Sequence, residues 1–230
     1  MADKRVSNDY LVTVRLKVKR VTIMAGDKDE RAVETGDLAA LIARAADQKA
    51  GGKDGLPPVE RWNPPFCGEI DMEIKRDGRW FYQGSPIGRQ PLVRLFSTVL
   101  RRDEDGETYL VTPVEKLRIR VEDAHFLAVE MTVSARQGEP VLTFRTNVGD
   151  VVEAGRDHAL RFVVSAGDQA VKPYLAVRGG LVALLSRAVA HELLEQGEIM
   201  TVEGADMFVI RSAGAVFPVM AADELERLSQ

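Results

Sequence analysis

The sequence predicts an α+β fold: two related strand-strand-helix-strand-strand units with mainly antiparallel sheets, plus an N-terminal helix. Three observations predict it. Apolar and polar residues alternate with period two from Phe66 to Ile74 and in several later runs, the pattern of a half-buried strand. Gly-bearing turns such as Asp77-Gly78 separate these runs and mark hairpins. Apolar residues at helical spacing recur in only a few places, chiefly 89–101 and 181–195.

Taken in order, residues 1–36 fit the rest poorly. Val12, Val14, Leu16 and Val18 alternate with Thr13, Arg15, Lys17 and Lys19, which would give a strand with a basic face. We expect a disordered leader here. Two other readings stand beside it: a basic arm, Arg15 to Arg20, for an anionic partner, and translation starting at Met24. Asp37 is a good N-cap for a helix to Gln48, with Leu38, Leu41, Ile42 and Ala45 as its apolar stripe, and 50–55 is a Gly-rich linker. The domain plan is therefore 1–36 leader, 37–55 helix and linker, 56–126 first unit and 127–230 second unit.

Pro57, Pro58, Pro64 and Pro65 bracket Trp62 and hold an extended approach to the first strand. The first unit then runs strand 66–74, an Asp77-Gly78 turn, return strand Trp80-Phe81-Tyr82, and a helix near 89–101 with Pro91 in its first turn. Strands follow around Tyr109–Val111 and Leu117–Val121. The second unit shows strands at 127–133, 141–146, 160–164 and 174–177, a helix at 181–195 ending before Gly197, two more strands at 199–202 and 207–210, and a short helix at 223–228. Aligning Trp80–Tyr82 and helix 89–101 with Tyr174–Val177 and helix 181–195 suggests an internal repeat at an offset of about 93 residues, longer than solenoid periods.

Bulk composition narrows the function classes. In 230 residues, 31 basic against 35 acidic side chains leave a net charge of −4, which argues against a general nucleic-acid binder. A single Cys excludes an internal disulfide and a multi-cysteine metal centre. No apolar run reaches the length of a membrane span, so we expect no membrane contact and a cytoplasmic location.

The run WNPPFCGEIDMEI, then W-x-Y-x-G-S-P-I-G-R, LVRLFS and LVTPVEK, resembles a bacterial family, domain-of-unknown-function family 1285, from about Leu56 to Val219. The resemblance implies an α+β fold with repeated structural motifs and a role in signal transduction. It supplies no catalytic residues.

Candidate chemistry is sparse. Glu69, Asp71 and Glu73 share one strand face; a hard cation wants several oxygen ligands, but the more economical reading is a solvated face paired with Lys75 or Arg76. His125, His158 and His191 show no metal-ligand spacing, Ser85 sits in no nucleophile elbow, and Cys67 has acidic neighbours. Gly84, Gly88 and Gly179-Gly180 precede expected helices, where backbone N–H groups bind anions, and Arg89 and Arg178 lie beside them. The expected ligand-binding set is Trp62, Trp80, Tyr82, Ser85, Gly88, Arg89, Arg178, Gly179 and Gly180, with no catalytic residue, metal or cofactor. Its partner would be a small anionic ligand or a protein. A homodimer is expected from the broadly apolar 181–195 run. The alternative is an enzyme using Asp71, Arg89 and His125.

Overall fold

The computed structural model describes residues 55–164 and 171–228. These residues belong to one compact unit of the chain. The leader, the expected helix at 37–48 and the linker up to residue 54 lie outside the described residues.

After a 3-10 turn at Val59–Arg61, the first sheet is built from β1 (Phe66–Ile74), β2 (Trp80–Tyr82), β3 (Ser85–Pro86), β4 (Leu100–Arg102), β5 (Thr108–Val111) and β6 (Lys116–Val121), with helix α1 (Gln90–Thr98) between β3 and β4. The second contains β7 (Phe126–Arg136), β8 (Glu139–Thr146), β9 (Val151–Glu153), β10 (Leu160–Val164), β11 (Val171–Arg178) and β12 (Leu181–Leu185). Helix α2 (Arg187–Leu194) leads to a three-stranded sheet, β13 (Glu198–Val202), β14 (Ala205–Ser212) and β15 (Ala215–Ala221), and helix α3 (Ala222–Leu228).

Both six-stranded sheets have the same plan. Their orders are β3-β2-β1-β6-β5-β4 and β10-β11-β12-β7-β8-β9, each two meanders joined by a first and last strand that run parallel. This corrects the expectation of mainly antiparallel sheets: both are mixed, with a parallel pair at the centre. A repeat exists, but not in the register expected. By topology β2 corresponds to β8, not to Tyr174–Val177 in β11, and the second sheet has no helix in the place of α1.

The expected helix 181–195 is the main correction. Leu181, Ala183 and Leu185 are buried and alternate with half-buried Val182 and Leu184, so the run is a strand between β11 and parallel β7. A central strand covered on both faces reads as a continuous apolar run, which periodicity alone cannot separate from a buried helix. The helix begins only after Ser186, whose side chain accepts the N–H of Val189.

The hairpin turns at 83–84, 137–138, 179–180, 203–204 and 213–214 share one device. Both central residues of each take positive φ, between 47° at Gln83 and 85° at Gly204, the type I′ geometry that matches strand twist. β15, missed in the sequence, contains Pro218; it is an outer strand of its sheet with a register shift nearby, where a proline is tolerated.

One apolar cluster runs through all three sheets, from Met72, Trp80 and Phe96 through Phe126, Phe144 and Leu175 to Ile210 and Phe217. α1 covers one face of the first sheet: Phe96 stacks on Trp80 with ring centroids 6.1 Å apart. Polar groups stitch the two large sheets. Asn147 donates from Nδ2 to the carbonyl of Gly78 (3.0 Å) and accepts the Leu127 N–H at Oδ1 (3.0 Å). Gly78 is required there, since a Cβ would lie 2.7 Å from Asn147 Nδ2 and its φ is +78°.

His125, between β6 and β7, is the second stitch. Its Nδ1 accepts the Val182 N–H (3.1 Å), so the neutral ring carries its proton on Nε2 and donates to Thr108 Oγ1 (3.0 Å). Burial, aided by the nearby charges of Arg102 and Arg178, pushes its pKa from 6.5 down to about 4.

Asn147→Ala leaves the Leu127 N–H without its acceptor, so the protein should lose about 1–3 kcal/mol. In a domain of this size that lowers Tm by roughly 2–10 °C, and a melt within 1 °C of wild type counts against the role. For His125, the unfolded chain binds a proton below pH ~6.5 and the folded chain only near 4. The stabilisation by the neutral ring is full above that window and is lost as pH falls through it, on the order of 3 kcal/mol. Denaturant unfolding between pH 7 and 4 should show this extra loss in wild type and not in His125→Asn. Parallel profiles would disprove it.

Candidate functional site

The structure disperses the ligand-binding set read from the sequence. Trp80 is in the core, 1% exposed. Trp62 is half-buried against that core, and its carbonyl accepts Nη1 of Arg101 (2.7 Å). Tyr82 is half-buried and accepts a hydrogen bond from Gln83, while Ser85 and Gly88 are exposed around the short outer strand β3. Arg89 is the N-cap residue of α1.

Arg178 lies at the other end of that helix. Its Nη2 donates to the carbonyl of Ser97 (2.9 Å), its Nη1 pairs with Asp150 (2.6 Å), and its guanidinium lies 4.8 Å from the centre of the Phe126 ring. A cation at a helix C-terminus is favourable, so Arg178 is a clamp between α1 and the second sheet. At 1.5 Å per residue the helix separates the two arginines by roughly 12 Å, too far to grip one small anion. Gly179-Gly180 forms the β11–β12 hairpin turn instead of opening a helix, and a Cβ at Gly179 would lie 2.4 Å from Glu60 Oε1.

The residues of the enzyme alternative do not meet either. Asp71 pairs with Arg120 on an exposed face, Arg89 caps α1, and both ring nitrogens of His125 are engaged. Among the described residues no cluster of His, Cys, Asp and Glu is arranged to hold a metal ion.

What the structure does assemble is the open face of the first sheet. One side of β1 turns Met72 and Ile74 to the core; the other presents Glu69, Asp71 and Glu73. β6 does the same with Leu117 and Ile119 inward and Arg118 and Arg120 outward. Parallel pairing sets Glu69 beside Arg118 and Glu73 beside Arg120. Arg118 pairs with Glu69, and Arg120 with Asp71 (2.6 Å) and more distantly with Glu73 (4.0 Å). The expected partner Lys75 holds Glu73 (2.8 Å), whereas Arg76 turns to Glu122 and Asp123.

Aromatic rings flank this ladder. Phe81, the cross-strand neighbour of Glu73, lies under the guanidinium of Arg79. At the other end Phe66, 55% exposed, meets Tyr109 edge-on at 6.1 Å, and Lys116 lies 4.5 Å from the Tyr109 ring centre. Asp105 accepts the Tyr109 hydroxyl, and that bond leads in raising the phenol pKa to about 12. An open groove of about 600 Å³ runs along the ladder, lined by Glu69, Glu73, Arg118, Arg120, Glu107 and Glu122 among others. Sequence reasoning missed Arg118 and Arg120. Their alternation with Leu117 and Ile119 was the available signal, opposite in charge to β1 and of the same period.

No helix among the described residues is long and apolar enough to cross a membrane. The comparison with curated proteins finds no match. Two family models do match: the domain of unknown function (DUF1285), N-terminal domain, over residues 57–124, and the protein of unknown function (DUF1285), C-terminal domain, over residues 125–219. A crystal structure of a DUF1285 family protein from Silicibacter pomeroyi DSS-3 is 45% identical, with a TM-score of 0.70 over 81% of this chain and 98% of its own. Another from Shewanella baltica OS155 is 27% identical, with a TM-score of 0.44 over 55% of this chain and 91% of its own. With both family patterns present in order across most of its length, the chain belongs to the DUF1285 family.

Proposed function

We propose that the protein is a non-enzymatic binding module whose open first-sheet face takes a protein partner, and that this contact serves signal transduction, as the family resemblance implies. The observation that carries the reading is the outward ladder of Glu69–Arg118 and Asp71–Arg120, set between exposed Phe66 and half-buried Phe81. Arginine and aromatic side chains are the residue types enriched in protein interfaces. Exposed ion pairs of this kind contribute only about 0–1 kcal/mol each to folding, so their charges are at hand to select a complementary surface and speed its docking. Two titratable side chains near this region support the same reading, because His125 and Tyr109 are committed to internal contacts.

The test is a photo-crosslinking amino acid in place of Phe81, in the full chain, in cells of the source organism. One defined protein adduct is expected on illumination, and Arg118→Glu with Arg120→Glu should reduce it at least tenfold while the melting temperature stays within a few degrees. No adduct, or one indifferent to charge reversal, would overturn the proposal.

A further inference from the structure

The outer edge of the three-stranded sheet is unusual among the sheet edges of this protein. β3 has two residues and one is Pro86; β9 has three; β10 lies against β15. β4 is covered by the 3-10 turn, whose Val59 carbonyl is held by Arg101, as is that of Trp62. β13 has five residues, Glu198-Ile199-Met200-Thr201-Val202, and among the described residues no strand pairs with its outer side. It contains neither Lys nor Pro, the common protections of an edge, and Ile199 is 51% exposed.

The turn fixes which backbone groups point outward. Val202 and Ala205 flank the two-residue turn Glu203-Gly204 and form its closing pair, so the backbone groups of Val202, Met200 and Glu198 face β14. Those of Ile199 and Thr201 face out. A two-fold axis through Met200 brings a second β13 antiparallel to the first. Ile199 of each copy then lies opposite Thr201 of the other, so all these outward groups are hydrogen-bonded. The same register sets Glu198 opposite Val202, so no like charges meet; an axis at Glu198 would oppose two carboxylates. Met200 meets Met200 at a non-hydrogen-bonded position, where side chains are closest.

We infer that β13 pairs with β13 of a second copy, joining two three-stranded sheets into one of six strands. The expected homodimer thus has a different basis from the one first assigned to 181–195, since Leu181, Ala183 and Leu185 are interior. The interface is isologous. Strand pairing over so few residues lies at the small end of interface size, so the dimer should be weak and in concentration-dependent exchange with monomer.

Sedimentation equilibrium of the full chain should show reversible monomer–dimer exchange in the micromolar range. Thr201→Pro, which removes an outward N–H, should weaken it at least tenfold with little change in melting temperature. An independent arm uses Met200→Cys in a Cys67→Ser background. Cα atoms of a close antiparallel pair lie within disulfide reach, so oxidation should give covalent dimer for Met200→Cys and far less for Glu198→Cys. A full chain that stays monomeric across the range, or equal crosslinking at 198 and 200, would overturn the inference.

Discussion

Each large sheet depends on one parallel contact. β1 must find β6, and β7 must find β12, after the chain has completed two meanders between them. The meanders themselves are local and fold back through short turns. The central pairing is the non-local step, and it must bear the loop-closure entropy of the whole unit. It also decides what each strand shows to solvent. In the first unit it places the guanidinium row of β6 beside the carboxylate row of β1 and, by the same pleat, Leu117 and Ile119 beside Met72 and Ile74 in the core. Surface character and core packing are two sides of one register.

The two sheets are then held together by groups with few alternatives. Asn147 reads the backbone of both units, and His125 bridges β5 to β12 as a neutral ring. Arg178 ties the end of α1 to the second sheet. These are the residues that attract attention in a search for chemistry: a buried imidazole, a half-buried guanidinium, a close glycine. Here they serve the join between repeats. Residues that look catalytic by type are also those best able to bridge buried backbone, and type alone does not separate the two uses.

Much of the first unit was legible. Period-two alternation from Phe66 to Ile74, the Asp77-Gly78 hairpin and the start of the helix expected over 89–101 are local signals, and the structure agrees with each; that helix, however, ends at Thr98, and Leu100–Arg102 is strand β4. Leu181–Leu185 was not legible, because burial on both faces erases the alternation that identifies a strand. The repeat was sensed but misaligned for the same reason: with that strand read as a helix, α1 acquired a false counterpart. β15 was hidden by Pro218. Of the candidate site, the carboxylates of β1 were visible, but their arginine partners were not, since parallel pairing joins residues that no short-range pattern connects.

The tight hairpin turns carry a wider consequence. Proteins usually vary function by lengthening and reshaping connecting segments over a constant scaffold. Here many strands are joined by two residues held at positive φ, which leaves little material at those points for such variation. Substitution is then easiest at outward positions on the strands, where a side chain can change without altering length or path. A lineage built this way would acquire new partners by recolouring a fixed panel, not by growing new loops.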